Sequence, residues 1–254
     1  MARAVTPPPS ALGGAFSMPA ISPISERPPY RYRDCKAVNI LFASDPQALQ
    51  RLLPPPLTLD PDQPAVLYIG HYVLADYDLP YNEAGLLVPA RLDGEPVGNF
   101  AVVLYLDRAN PIVGGREVYG FPKKDADQIL VDEREGRVLG EVTRYGHRII
   151  RVALTVQQRV APIPARPKTP ICFLKVIPSV RADGPPDVLK LNSTVIDPDV
   201  ITDLRVGEGT LEFCESPFDP FLATIPVRRV LYSEVIVHDF TLGYGEVLLD
   251  YQAI

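Results

Sequence analysis

The chain has 254 residues, 46% apolar and 22% charged, which excludes wholesale disorder and suffices for a full hydrophobic core. A formal net charge of −6 with scattered basic residues argues against a nucleic-acid partner, since phosphate neutralisation needs a basic stripe. No apolar run is long enough to cross a bilayer, and the first residues, MARAVTPPPS, lack the apolar core of a signal peptide, so a soluble cytoplasmic protein without a membrane partner is expected.

Residues 1–29 are rich in Pro, Ala, Ser and Gly and end in Arg27-Pro28-Pro29, which predicts an extended arm, disordered or laid across a neighbouring subunit. Residues 30–254 are expected to form one domain. A strand is predicted over Ala37–Phe42, followed by a short helix. Ser44 with Gln47 could cap that helix as a box, or Asp45 could cap it with Pro46 at the first helical position. The helix must stop by Leu53, because Pro54-Pro55-Pro56 removes donors.

Strand-type patterning then dominates: Ala65–Val73, Ala84–Leu92, Asn99–Leu106, Ile129–Asp132, Arg137–Arg144, Ile149–Gln157, Ile171–Pro178, Asp187–Thr194, Glu208–Phe213 and the long Val230–Tyr251 region. Asp93-Gly94 and Tyr145-Gly146 lie between apolar runs as hairpin turns. A second helix is predicted from about Ser216 or Pro220, with Phe218, Phe221, Leu222 and Ile225 at helical spacing and Pro226 ending it. Consecutive strands without regularly interleaved helices predict an α+β fold that is predominantly antiparallel β, its sheet closed or sandwiched on itself, with a few short helices.

Cys35, Cys172 and Cys214 form no CxxC pair, and His71, His147 and His238 have no metal-ligand spacing, so buried small side chains in a reducing compartment and no metal are expected. The informative segment is Gly114-Gly115-Arg116-Glu117-Val118-Tyr119-Gly120-Phe121-Pro122-Lys123-Lys124. It leaves a strand as irregular backbone, the kind of place where a rigid scaffold holds reactive groups. By itself a Lys-Lys pair here is either a nucleophile with its neighbour or a solvated surface pair.

The segment resembles the signature of the acetoacetate decarboxylase family: Gly-Arg-Glu, two variable residues, a small residue, an aromatic, then Pro-Lys-Lys. Further landmarks follow in order from about Tyr30 to Tyr251: Tyr81-Asn82-Glu83, Tyr105-Leu106-Asp107, Leu174-Lys175-Val176-Ile177-Pro178 and Glu246 to Tyr251. The resemblance implies a Schiff-base-forming lyase that takes a small-molecule keto acid, needs no cofactor and assembles as a homo-oligomer. Lys123 would be the nucleophile, kept reactive by burial and by the like charge of Lys124, and Glu83 would orient substrate or shuttle protons. Arg116 and Glu117 would pair to brace the loop, and Tyr119 belongs to the same motif.

Two departures accompany the resemblance. The position of the family's second carboxylate falls on Tyr68. The N-terminal arginine has its nearest match in Arg33 only across a gap, ungapped spacing landing on Cys35. The expected reaction is decarboxylation of acetoacetate or a related β-keto acid. The alternatives are an imine-dependent aldolase or dehydratase joining a 2-oxo acid such as pyruvate to an aldehyde, in which Tyr81 and Tyr251 would assist proton transfer, and a non-catalytic small-molecule-binding homologue.

Overall fold

The computed structural model describes residues 16–163, 168–196 and 198–253. Residues 1–15, half of the predicted arm, lie outside the described residues. Fourteen strands join one sheet: β1 (Tyr30–Ala43), β2 (Thr58–Leu59), β3 (Ala65–Leu74), β4 (Leu79–Leu92), β5 (Glu95–Leu106), β6 (Lys123–Asp125), β7 (Gln128–Arg134), β8 (Arg137–Arg144), β9 (His147–Arg159), β10 (Pro170–Ile177), β11 (Val188–Val195), β12 (Pro198–Phe213), β13 (Arg229–Leu242) and β14 (Glu246–Asp250). Their order is β14-β11-β10-β5-β4-β3-β1-β13-β12-β9-β8-β7, with β2 beside β4 and β6 beside β5.

The described strands therefore form an open sheet with two ends rather than a closed one. It is folded over on itself, since a methyl at Gly140 of β8 would lie 2.8 Å from the side chain of Ile69 in β3. Pairing is antiparallel except where β10 and β6 run parallel to the first and second halves of β5. Among the described residues no helix is long and apolar enough to cross a membrane.

Strand alternation separates two environments. Val38, Ile40 and Phe42 of β1, Leu67 and Ile69 of β3, and Leu86 and Val88 of β4 are buried in the core inside the fold. The opposite faces of the same strands, with Asn39, Tyr68 and Glu83 among them, line a large cavity. Hairpin geometry follows the sequence: Asp93 and Gly94, and Tyr145 and Gly146, all have positive φ, as a tight primed turn requires.

Of the two caps predicted for the first helix, α1 (Pro46–Gln50), Asp45 is the one used, accepting from the amides of Gln47 and Ala48 at 2.9 and 3.1 Å. The predicted helix near Ser216 is corrected to one 3-10 turn, Leu222–Thr224. Prolines at both ends leave room for little more. The segment before Lys123, expected to be irregular, is helical: α2 (Ala109–Gly114) continues into a π-helical turn, Gly115–Tyr119.

Candidate active site

The π-helical turn is what delivers Lys123. The amides of Gly120 and Phe121 both reach back to the carbonyl of Gly115, at 3.0 and 3.1 Å, closing a wide turn. Gly120, at φ 97°, ends it where a side chain would run into Lys175 of β10. The chain then enters β6 with Lys123 in register with Leu104 of β5. Gly115 has a second use: a methyl there would lie 2.6 Å from Lys123 Cδ, so its bare backbone is the floor along which the lysine stem runs.

Lys123 is buried, and its Nζ donates to Oε2 of buried Glu83 on β4 at 3.0 Å. The other carboxylate oxygen accepts from the hydroxyl of Tyr68 on β3 at 2.5 Å. Burial, reinforced by the Glu83 charge, pushes the Tyr68 phenol well above its ordinary value, so it stays a donor throughout the neutral range. Around this line stand more aromatic rings. Tyr72 stacks on Tyr81 with centroids 5.7 Å apart, Tyr32 stacks on Phe240 at 4.4 Å, and the Tyr81 hydroxyl donates to that of Tyr32 at 3.3 Å. Burial also raises the Tyr72 and Tyr81 phenols well above their ordinary value.

Lys123 sits between two cavities. The larger, about 700 Å³, is walled by β1, β3, β4 and β13 and holds Glu83, Tyr68, Tyr72 and Tyr81. The smaller, about 170 Å³, lies beneath Pro23–Glu26 of the N-terminal arm and is lined also by Tyr119. The amine and the carboxylate, in hydrogen-bond contact, can exchange a proton, while the phenol, which keeps its own, holds the carboxylate in place.

The profile of the family described as Acetoacetate decarboxylase (ADC) matches residues 17–252. The chain belongs to the acetoacetate decarboxylase family. The acetoacetate decarboxylase of Paraburkholderia xenovorans (strain LB400) is 32% identical, the match covering 95% of each chain. A solved structure from structural studies of acetoacetate decarboxylase shares 25% identity at a TM-score of 0.84, covering 95% of this chain and 98% of that one. Acetoacetate decarboxylase from Legionella pneumophila shares 29% at a TM-score of 0.78, covering 94% and 95%.

Several expectations taken from the acetoacetate decarboxylase motif are corrected by the geometry. Lys124 does not share a face with Lys123, because neighbours on a strand point to opposite sides. Its ammonium pairs with Asp219, a fully buried carboxylate that also accepts from Arg144 at 3.0 Å. Arg116 does not pair with Glu117. Its guanidinium donates to the Lys123 carbonyl at 3.0 Å, while the backbone carbonyls of Glu117 and Val118 accept from Lys175 at 2.6 and 3.0 Å. Tyr119 donates to the carbonyl of Gly243 at 2.8 Å.

Arg33 lies outside both cavities. The bulge at Asp34, φ 51°, turns it off the cavity face toward Asp199 and Asp239. Tyr251 is also remote from Lys123, donating to the carbonyl of Pro55 at 2.6 Å.

Residues missed from sequence include Asp219, Tyr72, Asn39, Glu234 and His238. The last four carry a period-two signal: Glu234, Ile236, His238 and Phe240 alternate onto the cavity from β13, as Tyr68 and Tyr72 do from β3. No cluster of three or more His, Cys, Asp or Glu side chains that could hold a metal occurs among the described residues.

Proposed function

We propose that the protein is a lyase working through an imine on Lys123, with a β-keto acid as substrate and decarboxylation as the reaction. The observation that carries this reading is the buried Lys123 amine 3.0 Å from Glu83 on the wall of an aromatic cavity. Passing the ammonium proton to Glu83 leaves a neutral amine that attacks the ketone carbonyl, and loss of water gives the iminium. The bond to the carboxylate then breaks, its electron pair flowing into the iminium to give carbon dioxide and an enamine. Glu83 gives that first proton up as the water leaves; recharged with the one proton the net reaction takes from solvent, and steadied by the Tyr68 hydroxyl, it can protonate the enamine carbon, and hydrolysis of the iminium frees the ketone and the lysine. Family membership and 32% identity to acetoacetate decarboxylases support this reaction class.

A second reading, condensation of a 2-oxo acid with an aldehyde followed by dehydration, is favoured by Tyr68. The sequence puts a phenol where the family pattern has a second carboxylate, and the cavity has room for two reactants. Incubation with a β-keto acid or a 2-oxo acid followed by borohydride should fix one adduct on the Lys123 peptide and none in Lys123→Arg, whose guanidinium forms no imine. Carbon dioxide release from the β-keto acid distinguishes decarboxylation from condensation, and an adduct on another lysine overturns the assignment. We also propose a homo-oligomer, supported by the two strands, β14 and β7, that end the sheet among the described residues. Sedimentation as a monomer would remove it.

A further inference from the structure

The large cavity has a second polar pole. In the sheet register Glu234 of β13 stands opposite Asn39 of β1, and Asn39 opposite Tyr68 of β3, so the three share one face in a row. Asn39 Nδ2 donates to Glu234 Oε1 at 2.8 Å, and Glu234 is 1% exposed. Both residues line the same cavity as Lys123 and Glu83. Two strand spacings, about 10 Å, separate the Tyr68 and Glu234 backbones. Apolar groups, Leu41, Val66 and Ile236, line the cavity along with the two polar poles.

A carboxylate buried in such a wall is costly unless donors meet it, and Asn39 supplies one of them. Neither group takes part in the chemistry proposed at Lys123. The cavity, about 700 Å³, falls in the range of roughly 300–1,000 Å³ that encloses ligands of drug size. A four-carbon keto acid held at Lys123 would leave most of it, including the far pole, untouched.

We infer that Glu234 and Asn39 form a distal subsite that receives the hydrogen-bond-donating end, an ammonium or a hydroxyl, of a keto acid longer than acetoacetate whose carbonyl lies at Lys123. The inference rests on the imine reading for the position of the carbonyl and deepens it by naming the substrate class. The apolar side chains match a methylene chain, and the two acceptor-bearing groups at its far end select the tail by charge and hydrogen bonding.

The test uses keto acids of one chain length ending in methyl, hydroxyl or ammonium, with acetoacetate as the short control, and reads borohydride-fixed adduct against acid concentration. In the parent protein the ammonium-tailed acid should half-saturate at a concentration about tenfold or more below the methyl-tailed one, the gain expected of a charge-assisted hydrogen bond. In Glu234→Gln and in Asn39→Leu that preference should collapse while adduct formation with acetoacetate is kept. Thermal melting confirms that each variant is folded, and the Asn39 variant decides the matter should Glu234→Gln not fold.

Equal half-saturation for all tails in the parent, or a preference that survives both substitutions, overturns the subsite. Calorimetric titration of Lys123→Met with the same acids separates the two ideas. Tail-selective binding there with no adduct in the parent sustains the subsite and removes the imine, whereas adducts in the parent without tail selectivity do the reverse.

Discussion

Gly85 stands directly opposite Tyr68 in the β3–β4 ladder, and a methyl at Gly85 would lie 2.5 Å from the phenol carbon Cζ. The missing side chain is what lets the Tyr68 ring lie across β4 and bring its hydroxyl to Glu83. Gly85→Ala should push the ring away, break the 2.5 Å hydrogen bond and cost about 1–3 kcal/mol through overpacking. Thermal melting should register the destabilisation and single-turnover kinetics a slower imine step. Unchanged kinetics in a destabilised variant would show that the Tyr68 bond matters only to the fold.

Tyr68→Phe asks the narrower question, keeping the ring and removing the hydroxyl. One buried oxygen of Glu83 then loses its donor, at a cost of about 1–3 kcal/mol. Turnover should fall with little change in the concentration of acid that half-saturates the enzyme, as expected when a proton-handling group loses its support rather than when binding is lost.

The enclosed phenols also set an alkaline limit. Tyr68, Tyr72 and Tyr81 are all raised in the folded state by burial. The unfolded chain ionises its tyrosines from about pH 10 while the folded chain holds these protons, so stability is full below that pH and falls as pH climbs above it. Phenolate absorbance from these residues should appear together with loss of fold. Full ionisation of every tyrosine in a still-folded protein would contradict the enclosure described.

At the acid end the relevant group is Glu133, whose carboxyl is held down to about 2 by the Arg205 guanidinium first, with Lys36 adding and burial opposing. A carboxylate depressed in the fold contributes stability in full above its ordinary value of 4.5 and loses it as pH falls toward about 2. Glu133→Gln should lower the melting temperature at neutral pH and flatten its decline in acid. Parallel curves for parent and variant would show that the ion cluster contributes nothing through this titration.

The sequence revealed strands better than it revealed their ends, because alternation stays clear only while the two faces differ. The apolar run of β1 starts only at Ala37, because Arg31, Arg33 and Asp34 interrupt it, yet the strand starts at Tyr30, pairs Arg31 with Thr241 and takes Arg33 and Asp34 into a bulge. That bulge also turns Arg33 off the cavity face, which a gapped match in sequence does not reveal. Lys123, Glu83, Tyr68 and Tyr81 were legible through the motif and its spacing, and the structure brings all four to one cavity. For Asn39 and Glu234 the period-two pattern marks the face they share with their strand neighbours but does not tell whether that face meets solvent or a cavity. The partner of Lys124 was hidden by distance along the chain, Asp219 being 95 positions away.

Lys175 tests whether the π-helical turn positions the nucleophile. Its ammonium donates to the carbonyls of Glu117 and Val118, and burial lowers its pKa from the usual lysine value. Lys175→Met should loosen the turn that aims Lys123, so turnover falls while the borohydride adduct stays on the Lys123 peptide. Loss of the adduct together with its appearance at position 175 in the parent would reassign the nucleophile.

The role of Lys124 can be decided by one substitution, because two mechanisms predict different pH behaviour. If its charge acts on Lys123 by repulsion, a neutral replacement should move the activity profile toward alkaline pH. The geometry argues otherwise. The Lys124 ammonium pairs with buried Asp219, a second cation, Arg144, shares that carboxylate, and strand alternation sends Lys124 away from the cavity that holds Lys123. The three groups tie β6 to β8 and to the segment carrying Asp219, which fixes the height of Lys123 against Glu83. Lys124→Met should therefore lower the melting temperature and reduce turnover by a similar factor at every pH, because what is lost is position and not a nearby charge. Asp219→Asn, which weakens the same tie from the other end, should reproduce the uniform loss. An alkaline shift in Lys124→Met alone, with the parent profile kept in Asp219→Asn, would restore repulsion as the source of the reactivity of Lys123.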